Sequence, residues 1–402
     1  MKQAQDKIPV ACYTLMAFLT ELAIAHGDTT LYPMWMRKIY VYLIFLCLVT
    51  AIIFIIPKLK QRFDATVFLP ILFFYVTTTY TCLGTSFGDI YTAFYNIFRL
   101  GGYLCLGYVG QIKVYKNFKL FMVVMSVLGI IAFLSYVLHL PIPYRNVDFY
   151  NDSFAASYVD YGFAFLFSEY GAVRLCGLFN EPGAFGTLLG FLLCADNYNL
   201  KDRKNIILFI AACMTFSVAF VAISILFLLL KVRKQPHVII PIIVAGVFLI
   251  IMLVSFASDN PIVQVFIERF SFEDGLLSMD DRTNDKVDKV FQAVIGGENF
   301  FWGYGTGYLH STDVEDTGST YKTVIIDYGV LGFIILYGFV ILAALKKSKK
   351  NIRAINFVVC FALSIYQRPN IYTLVHFVVL FGGIQYILSQ SKNLSIIKKK
   401  DV

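Results

Sequence analysis

The sequence predicts an all-α integral membrane protein: a polytopic bundle of about eleven or twelve transmembrane helices that forms one domain over residues 1–402. Of the 402 residues, 58% are hydrophobic and 15% are charged, and the mean hydropathy is +0.70. A soluble chain carries roughly 25% charged residues. Apolar runs of about 20 residues, each long enough to cross the hydrocarbon core as a helix, recur from end to end.

The positive charges predict the orientation. The net charge is +8, and the lysines and arginines cluster at the ends of the apolar runs. Because such clusters stay in the cytoplasm, both termini are expected there. No basic stripe interleaved with aromatic residues is present, so nucleic acid is not expected as a partner. Ala23-Ile24-Ala25 resembles a cleavage site, and a removed signal peptide is the alternative to an uncleaved first span.

The expected spans follow the apolar runs in order. They cover residues 8–25, 39–56, 65–83, 90–110, 120–140, 184–199, 206–230, 238–256, 322–345, 354–366 and 371–389. Two long loops lie between them, and the charge pattern places both on the outer side. They comprise residues 141–182 and 257–321. Loops of this length in a compact protein are usually functional.

The run 206–230 conflicts with the charge pattern, because a basic cluster flanks it on each side. One crossing would leave one of these clusters outside. We therefore expect a break near Thr215-Phe216-Ser217, with two short helices that return to the inner face. A broken helix at membrane depth is tolerated where it faces protein or a wet cavity. The alternative is a single tilted helix that violates the charge rule.

The first outer loop contains an apolar middle, FAASYVDYGFAFLF, which we expect to lie on the membrane or dip into it. The loop ends in RLCGLFNEPGAFG, which starts at Arg174. Pro182 suits a first helical turn, where its missing N–H would have no partner. An arginine just outside a helix start suits an anionic ligand. The alternative for Arg174 is a buried loop arginine satisfied by backbone carbonyl groups.

The second outer loop contains an amphipathic helix, expected over 281–295. Its apolar face carries Val287, Val290, Phe291 and Val294 at helical spacing. The opposite face carries Arg282, Lys286 and Lys289. For the two lysines a solvated basic face is the favoured interpretation. Arg282, near the helix start, is expected to point at an anionic substrate group.

A run of alternating glycines and aromatic residues follows this helix, from Trp302 to Tyr308. It predicts a tight backbone turn walled by rings, which could cradle a sugar or could be a plain surface turn. His310 is the only histidine of this loop. With Glu181 it is a candidate proton acceptor, although a lone histidine is more often a satisfied surface residue.

Two further features bear on the site. Arg99 stands in the middle of the fourth span, and an intramembrane arginine is a functional hypothesis by default, usually paired with a carboxylate. Structural pairing inside the bundle is the alternative. The cysteines contain no C-x-x-C motif and predict neither a disulfide framework nor a metal site. They are Cys12, Cys47, Cys82, Cys105, Cys176, Cys194, Cys213 and Cys360.

Together these segments resemble the O-antigen polymerase and O-antigen ligase superfamily, and within it the Wzy-type polysaccharide polymerases. The resemblance covers residues 163–345. It is carried by RLCGLFNEPG from Arg174, Asp281-Arg282, WGYGTG from Trp302, and YKTVIIDYGVLG from Tyr321. Ligases carry a histidine eleven residues before the first glycine of the G-x-x-G, where this chain has Gly318. The departure favours a polymerase.

The resemblance implies a metal-independent glycosyltransferase of the bacterial cytoplasmic membrane, without a cofactor. It would join undecaprenyl-diphosphate-linked repeat units into O-antigen, capsule or exopolysaccharide at the outer face. Arg174 and Arg282 would bind the diphosphate, and Glu181 or His310 would accept a proton. The other candidate substrate-binding residues are Arg99, Arg145, Arg269, Trp302, Tyr304, Tyr308 and Tyr321.

The expected partners are the lipid-linked donor and acceptor glycans and membrane lipid, with a chain-length regulator left open. A ligase that moves finished glycan to another acceptor is the nearest alternative. A flippase for lipid-linked oligosaccharide is the alternative from another class. A flippase would spread charge along a central cavity, whereas this chain concentrates polar residues in two outer loops.

Overall fold

The structure is a computed structural model of the chain. It describes residues 7–25, 34–56, 65–79, 86–151, 154–169, 172–179, 181–233, 272–273, 276–277, 285–312, 320–366 and 368–400. The expected span 238–256 lies outside these ranges, as do Arg269, Arg282 and the start of the predicted 281–295 helix.

Helices make up most of the described chain. In order they are α1 (Lys7–Ala25), α2 (Met34–Ile55), α3 (Ala65–Thr79), α4 (Phe87–Leu104), α5 (Tyr108–Val137), α6 (Pro182–Ala195), α7 (Arg203–Met214), α8 (Val218–Val232), α9 (Asp285–Gly296), α10 (Tyr308–Ser311), α11 (Tyr321–Phe333), α12 (Phe339–Lys347), α13 (Ile352–Ser364), α14 (Leu374–Phe377) and α15 (Gly383–Lys400). Single π-helical segments, Ile334–Gly338 and Val378–Gly382, join α11 to α12 and α14 to α15.

The apolar helices are of the kind that membrane proteins contain. Within the described ranges, four helical stretches are long and apolar enough to cross a bilayer. They are Lys38–Ile55, Tyr108–Val137, Tyr321–Lys347 and Leu374–Ser391. Five shorter apolar stretches of 10–17 residues accompany them. These are Lys7–Thr20, Val67–Thr77, Pro182–Ala195, Val218–Val232 and Ile352–Ser364.

The first long loop corrects the all-α prediction, because it folds into a four-stranded antiparallel sheet with strand order β1-β2-β3-β4. The strands are β1 (Arg145–Asn151), β2 (Phe154–Asp160), β3 (Phe165–Glu169) and β4 (Ala172–Gly177). A further pair of two-residue strands is β5 (Phe272–Glu273) and β6 (Leu276–Leu277). The apolar middle of the loop therefore forms β2 and β3, and its expected position at the membrane surface stays a prediction.

The sheet is held on the second half of α5. Leu175 of β4 packs where a side chain at Gly129 would stand, since a Cβ there would lie 2.8 Å from its Cδ1. Phe165 and Phe167 form a second apolar cluster with Cys176. Successive residues of β3 are thus buried on both faces. A run buried on both faces lacks the alternation that marks a strand in sequence, and this explains the missed sheet.

The boundary between the fourth and fifth expected spans also differs. The chain turns after Leu104 and restarts at Tyr108, so Lys113, Lys116 and Lys119 lie inside α5 and not between two helices. The amide of Gln111 donates to the carbonyl oxygens of Leu104 at 3.2 Å and Leu106 at 3.1 Å. This side chain satisfies carbonyl groups that a helix end leaves unpaired.

The predicted break in the run 206–230 is confirmed. Between α7 and α8, Phe216 has a positive φ of 47°. The two helices form a hairpin whose ends lie together: Lys231, in the last turn of α8, donates to the carbonyl oxygen of Asn197 at 3.0 Å, just ahead of α7. The helices therefore return to the end from which they started.

A polar network ties the helices together at that end, which we call the lysine end. Lys119 of α5 forms an ion pair with Asp196, after α6, and donates to Asn205 of α7 at 2.8 Å. Tyr386 of α15 donates to the same aspartate at 2.8 Å. A largely buried lysine is tolerated because its charge is paired and hydrogen-bonded. The opposite end, which carries strands β1–β4, is the sheet end.

Candidate functional site

The candidate site lies at the sheet end, around the start of α6. Glu181 occupies the position before the helix, with extended backbone angles of φ −143° and ψ 130°, and Pro182 takes the first helical position. The Glu181 carboxylate makes no capping bond to the helix. It faces Arg368 instead, in the segment that follows α13.

Glu181 and Arg368 form a two-pronged ion pair. The Nη1 of Arg368 donates to Oε2 of Glu181 at 2.8 Å, and Nη2 lies 2.6 Å from Oε1. The Arg368 side chain is 16% exposed and that of Glu181 is 42% exposed. One N–H···O hydrogen bond, from Nη1, and the close ionic contact of Nη2 therefore hold the two groups together. The pair is thus ordered by its own geometry yet open to solvent on the carboxylate side.

Two glycines of α6 allow its neighbours to approach. A Cβ at Gly183 would collide with Nη2 of Arg368. A Cβ at Gly186 would lie 2.6 Å from Oγ1 of Thr215 and 2.7 Å from Cβ of Ser217. These small residues permit the close contacts. One face of α6 therefore receives Arg368 at one level and the α7–α8 break about 4.5 Å further along.

Arg174 of β4 is buried behind the ion pair, with 4% of its surface exposed. Its Nε donates to the carbonyl oxygen of Thr215 at 3.1 Å, and Nη2 donates to that of Phe216 at 3.3 Å. These carbonyl groups belong to the break, where helical hydrogen bonding is interrupted. This matches the second interpretation of Arg174, a buried arginine on backbone carbonyls. The guanidinium group joins the sheet to the tip of the hairpin.

Cys176 lies two residues beyond Arg174 and is fully buried. Burial raises the pKa of its thiol well above the ordinary value, although the charge of Arg174 acts in the opposite direction. The thiol is therefore protonated near neutral pH. A protonated, inaccessible thiol is a poor nucleophile, so Cys176 contributes packing to this region.

An aromatic stack adjoins the ion pair. The ring of Tyr321, at the start of α11, stacks on Tyr366 with centroids 4.9 Å apart and an interplanar angle of 21°. Tyr366 is two residues from Arg368. Phe291 of α9 packs edge-on against Tyr321 at 5.9 Å. Aromatic rings from α9, from α11 and from the end of α13 therefore connect the second long loop to the Glu181–Arg368 ion pair.

The amphipathic helix α9 is held on α11. Its expected apolar face is confirmed, because Val287 and Val294 are buried against Ile325 and Ile326. On its edge Asp288 accepts from Lys322 of α11 at 2.9 Å. Lys286 and Lys289 are exposed. The exposure favours the interpretation of these two lysines as a solvated basic face.

The glycine-rich turn packs against a kink in α11. The N–H of Tyr304 donates to the carbonyl oxygen of Ile326 at 2.7 Å. The N–H of Gly305 donates to the backbone carbonyl oxygen of Asp327 at 3.0 Å. Gly329 has φ 66° and ψ 178°, and a Cβ on it would collide with the carbonyl of Phe301. The turn and the kink are therefore matched backbone surfaces. The glycines of the turn and of the kink allow the two backbones to lie in direct contact.

The rings of this turn have different surroundings. Tyr304 and Tyr308 stack on each other with centroids 4.2 Å apart. Both pack on the apolar cluster beneath α9, as does Tyr321. Trp302 is 71% exposed and is the ring of the turn with the most open surface. The structure brings Tyr304, Tyr308 and Tyr321 into one cluster beside the start of α11.

Other predicted residues lie elsewhere. Arg145 of β1 pairs with Asp160 of β2 at 2.5 Å, and its side chain is 54% exposed. Arg99 lies in α4, away from the strands. The helix α10 contains His310, but its side chain, like Arg269 and Arg282, lies outside what the structure describes. The expected meeting of Arg174 with Arg282 therefore stays a prediction.

Arg368 and Tyr366 are the residues of the site that sequence reasoning missed. Both lie at the end of the short predicted span 354–366, next to the turn Gln367-Arg368-Pro369-Asn370. A charged residue at the end of an apolar run was the available signal, because such residues cluster at functional positions in membrane proteins. The signal is weak alone, since span ends carry arginines for orientation as well.

Comparisons with family models, with curated proteins and with solved structures found no significant match to this chain. Over the described ranges, no group of three or more histidine, cysteine, aspartate or glutamate side chains is placed to hold a metal ion. The functional inference therefore rests on the geometry of the sheet end.

Replacing Arg174 by alanine is expected to lower the thermal unfolding midpoint of the purified protein. The carbonyl groups of Thr215 and Phe216 would lose their side-chain donor, at about 1–3 kcal/mol for a buried polar group left unsatisfied. Arg203→Ala is the control, because Arg203 is an exposed arginine at the lysine end. Equal midpoints for the two variants would contradict the assigned role.

Proposed function

We propose that this protein is a polysaccharide polymerase of the bacterial cytoplasmic membrane. It would transfer a growing glycan from an undecaprenyl-diphosphate donor to a second lipid-linked repeat unit. In this proposal the chain crosses the membrane about eleven times, both termini are cytoplasmic, and the sheet end faces outward. The lysine end would then be cytoplasmic, as positively charged clusters are in most membrane proteins.

One observation supports the proposal most directly: a guanidinium–carboxylate pair stands at the start of an apolar helix. Arg368 and Glu181 meet there, with Arg174 about one helical turn behind. The amide groups of a helix start favour anions, and planar guanidinium groups match phosphate oxygens. A lipid-borne diphosphate needs these interactions at a membrane surface. Ordinary helix packing does not need a half-exposed ion pair at that position.

The proposed chemistry is a substitution at the anomeric carbon of the donor. The acceptor hydroxyl oxygen forms the new glycosidic bond while the bond from that carbon to the phosphate oxygen breaks. The bonding electrons leave with the polyprenyl diphosphate, whose charge the arginines stabilise. The hydroxyl proton passes to a carboxylate or imidazole base. Atoms and charge balance without an additional reactant.

Arg368 has a specific part in this scheme. In the described state it holds the Glu181 carboxylate, and an arriving diphosphate would compete for the same guanidinium group. Exchange of partners would place Arg368 on the leaving group and release Glu181 to act as the base. Arg282 and His310 remain candidates for the second phosphate contact and for an alternative base. The rings of Tyr321, Tyr366 and Trp302 offer apolar faces for the sugar.

A deletion strain tests the reaction class. Loss of a polymerase is expected to leave single repeat units on the cell surface, which a glycan gel resolves from the normal ladder. An unchanged ladder would refute the proposal, and complete absence of exported repeats would indicate a flippase. Complementation with Arg282→Ala should fail to restore the ladder, and Arg282→Lys should restore little, because lysine lacks the planar fork.

A further inference from the structure

A second positively charged centre lies within the N-terminal helices, remote in sequence from the site at the sheet end. Arg99 of α4 is 9% exposed, and its guanidinium carbon lies 5.2 Å from the centroid of the Tyr95 ring. Its Nε is buried and has no hydrogen-bond partner among the residues that the structure describes. In the part of the chain that the structure describes, no carboxylate forms an ion pair with it. A charged arginine among apolar helices is costly unless an anion accompanies it.

Tyrosine hydroxyl groups extend this centre. Tyr95, Arg99 and Tyr103 are spaced four residues apart and so share one stripe of α4. Tyr13 of α1 packs edge-on against Tyr103 with centroids 5.9 Å apart. Among the described residues, the buried hydroxyl group of Tyr13 has no hydrogen-bond partner, and neither does that of Tyr103, which lies against Gly382. Tyr13 is also within electrostatic range of Arg99.

The position of Gly102 shows that this arrangement is built into the helix pair. Gly102 lies one turn from Arg99 on the same side of α4, and a Cβ there would collide with the Tyr13 hydroxyl oxygen. The glycine therefore makes room for a hydroxyl group that no protein atom uses. An unsatisfied buried hydroxyl costs about 1–3 kcal/mol, so an occupant that satisfies it would be favoured.

The chemistry of the occupant follows from the available groups. Arg99 offers only donors, and each tyrosine hydroxyl can donate one hydrogen bond. The phenol oxygen of Tyr75 contacts Arg99, while its own proton goes to the carbonyl oxygen of Tyr372 at 2.7 Å. The centre is thus rich in donors and poor in anionic acceptors. Phosphate oxygens are the strong acceptors that a guanidinium group prefers.

One flank of α4 is apolar and exposed. Phe94 and Phe98, on the turns beside Arg99, are 59% and 53% exposed. A large apolar flank of this kind on a membrane protein faces lipid chains. An anion that reaches Arg99 from this side must therefore carry an apolar tail. We propose that Arg99, with the hydroxyl group of Tyr13, binds the phosphate group of a membrane lipid. This inference does not depend on the proposed glycan transfer.

Thermal unfolding of the full chain in lipid nanodiscs tests the site. Wild-type protein in phosphatidylcholine is compared with protein in the same lipid plus increasing fractions of undecaprenyl phosphate, or of phosphatidylglycerol. A ligand that binds only the folded state raises the unfolding midpoint, and the rise grows with the logarithm of 1 + [L]/Kd. A midpoint that rises with either phosphate lipid is the expected result. The lipid that acts at the lower fraction identifies the source of the phosphate group.

Two variants and one control separate binding from folding. Arg99→Gln should lose most of the lipid-dependent rise. Tyr13→Phe should also lose much of it, while its midpoint in phosphatidylcholine alone stays equal or increases, because an unsatisfied hydroxyl has been removed. Lys113→Gln removes one exposed positive charge from α5 and should keep the full rise. An equal rise in wild type and Arg99→Gln, or none in wild type, would overturn the proposal.

Discussion

Arg368→Ala is expected to abolish long polymer in a complemented deletion strain while the protein remains in the membrane. The substitution removes the guanidinium group that faces Glu181 at 2.6–2.8 Å and leaves that carboxylate without its two-pronged partner. Loss of one preorganised charge-stabilising donor lowers the rate of comparable enzymes about 10²- to 10³-fold. A glycan gel with a membrane immunoblot in parallel measures both parts of the expectation.

Conservative variants sharpen this test. Arg368→Lys should restore little polymer, because a single ammonium group cannot form two parallel hydrogen bonds. Glu181→Gln keeps the shape of the acceptor and removes its basicity, so it separates a base from a simple partner of Arg368. Arg203→Ala, at the exposed start of α7, should leave the ladder intact. A full-length ladder from Arg368→Ala would remove this residue from the proposed site.

Gly329→Ala is expected to cause a large loss of stability for a single added methyl group. The residue has φ 66° and ψ 178°, a conformation that is essentially restricted to glycine and costs other residues about 1–3 kcal/mol. The new Cβ would also overlap the carbonyl group of Phe301, which is backbone and cannot rotate away. The thermal unfolding midpoint of the purified protein measures the loss.

Gly338→Ala is the matched control in the same long helix. Gly338 has helical angles, φ −59° and ψ −47°, and the nearest atom to its added Cβ is 3.7 Å away, an ordinary contact. Alanine in a helix interior is about 0.5–1 kcal/mol more favourable than glycine. Its midpoint should therefore stay equal or rise. Similar midpoints for the two variants would contradict the interlock between the glycine-rich turn and the kink.

The helical elements were largely predictable from the sequence because their signals are local. Apolar length located most of the helices, and opposing basic flanks located the break at Phe216. Periodicity located the apolar face of α9, where Val287 and Val294 are buried. Each of these patterns reflects a constraint that acts within one or two turns of chain.

The site was less predictable because its contacts join distant segments. Glu181 was a candidate, but its partner Arg368 lies 187 residues away along the chain, and no local pattern couples them. Similarly, the bonds of Arg174 to the tip at Thr215 depend on how the sheet sits on the helices. The sheet was missed because Phe165, Leu166 and Phe167 are buried consecutively, as in a helix core.

The hairpin of α7 and α8 has a consequence for how such a chain can change. Its two arms run in opposite directions, so the chain leaves the segment 203–232 at the same end of the protein at which it entered. The segment therefore does not alter the direction of the helices that follow. During evolution the two arms could become shorter or change in sequence, and the helices that follow would keep their direction. The direction of the chain therefore does not constrain this segment, but its contacts do: Arg174 donates to the carbonyl groups of its tip, and Leu208 and Phe220 of its arms are buried in the core.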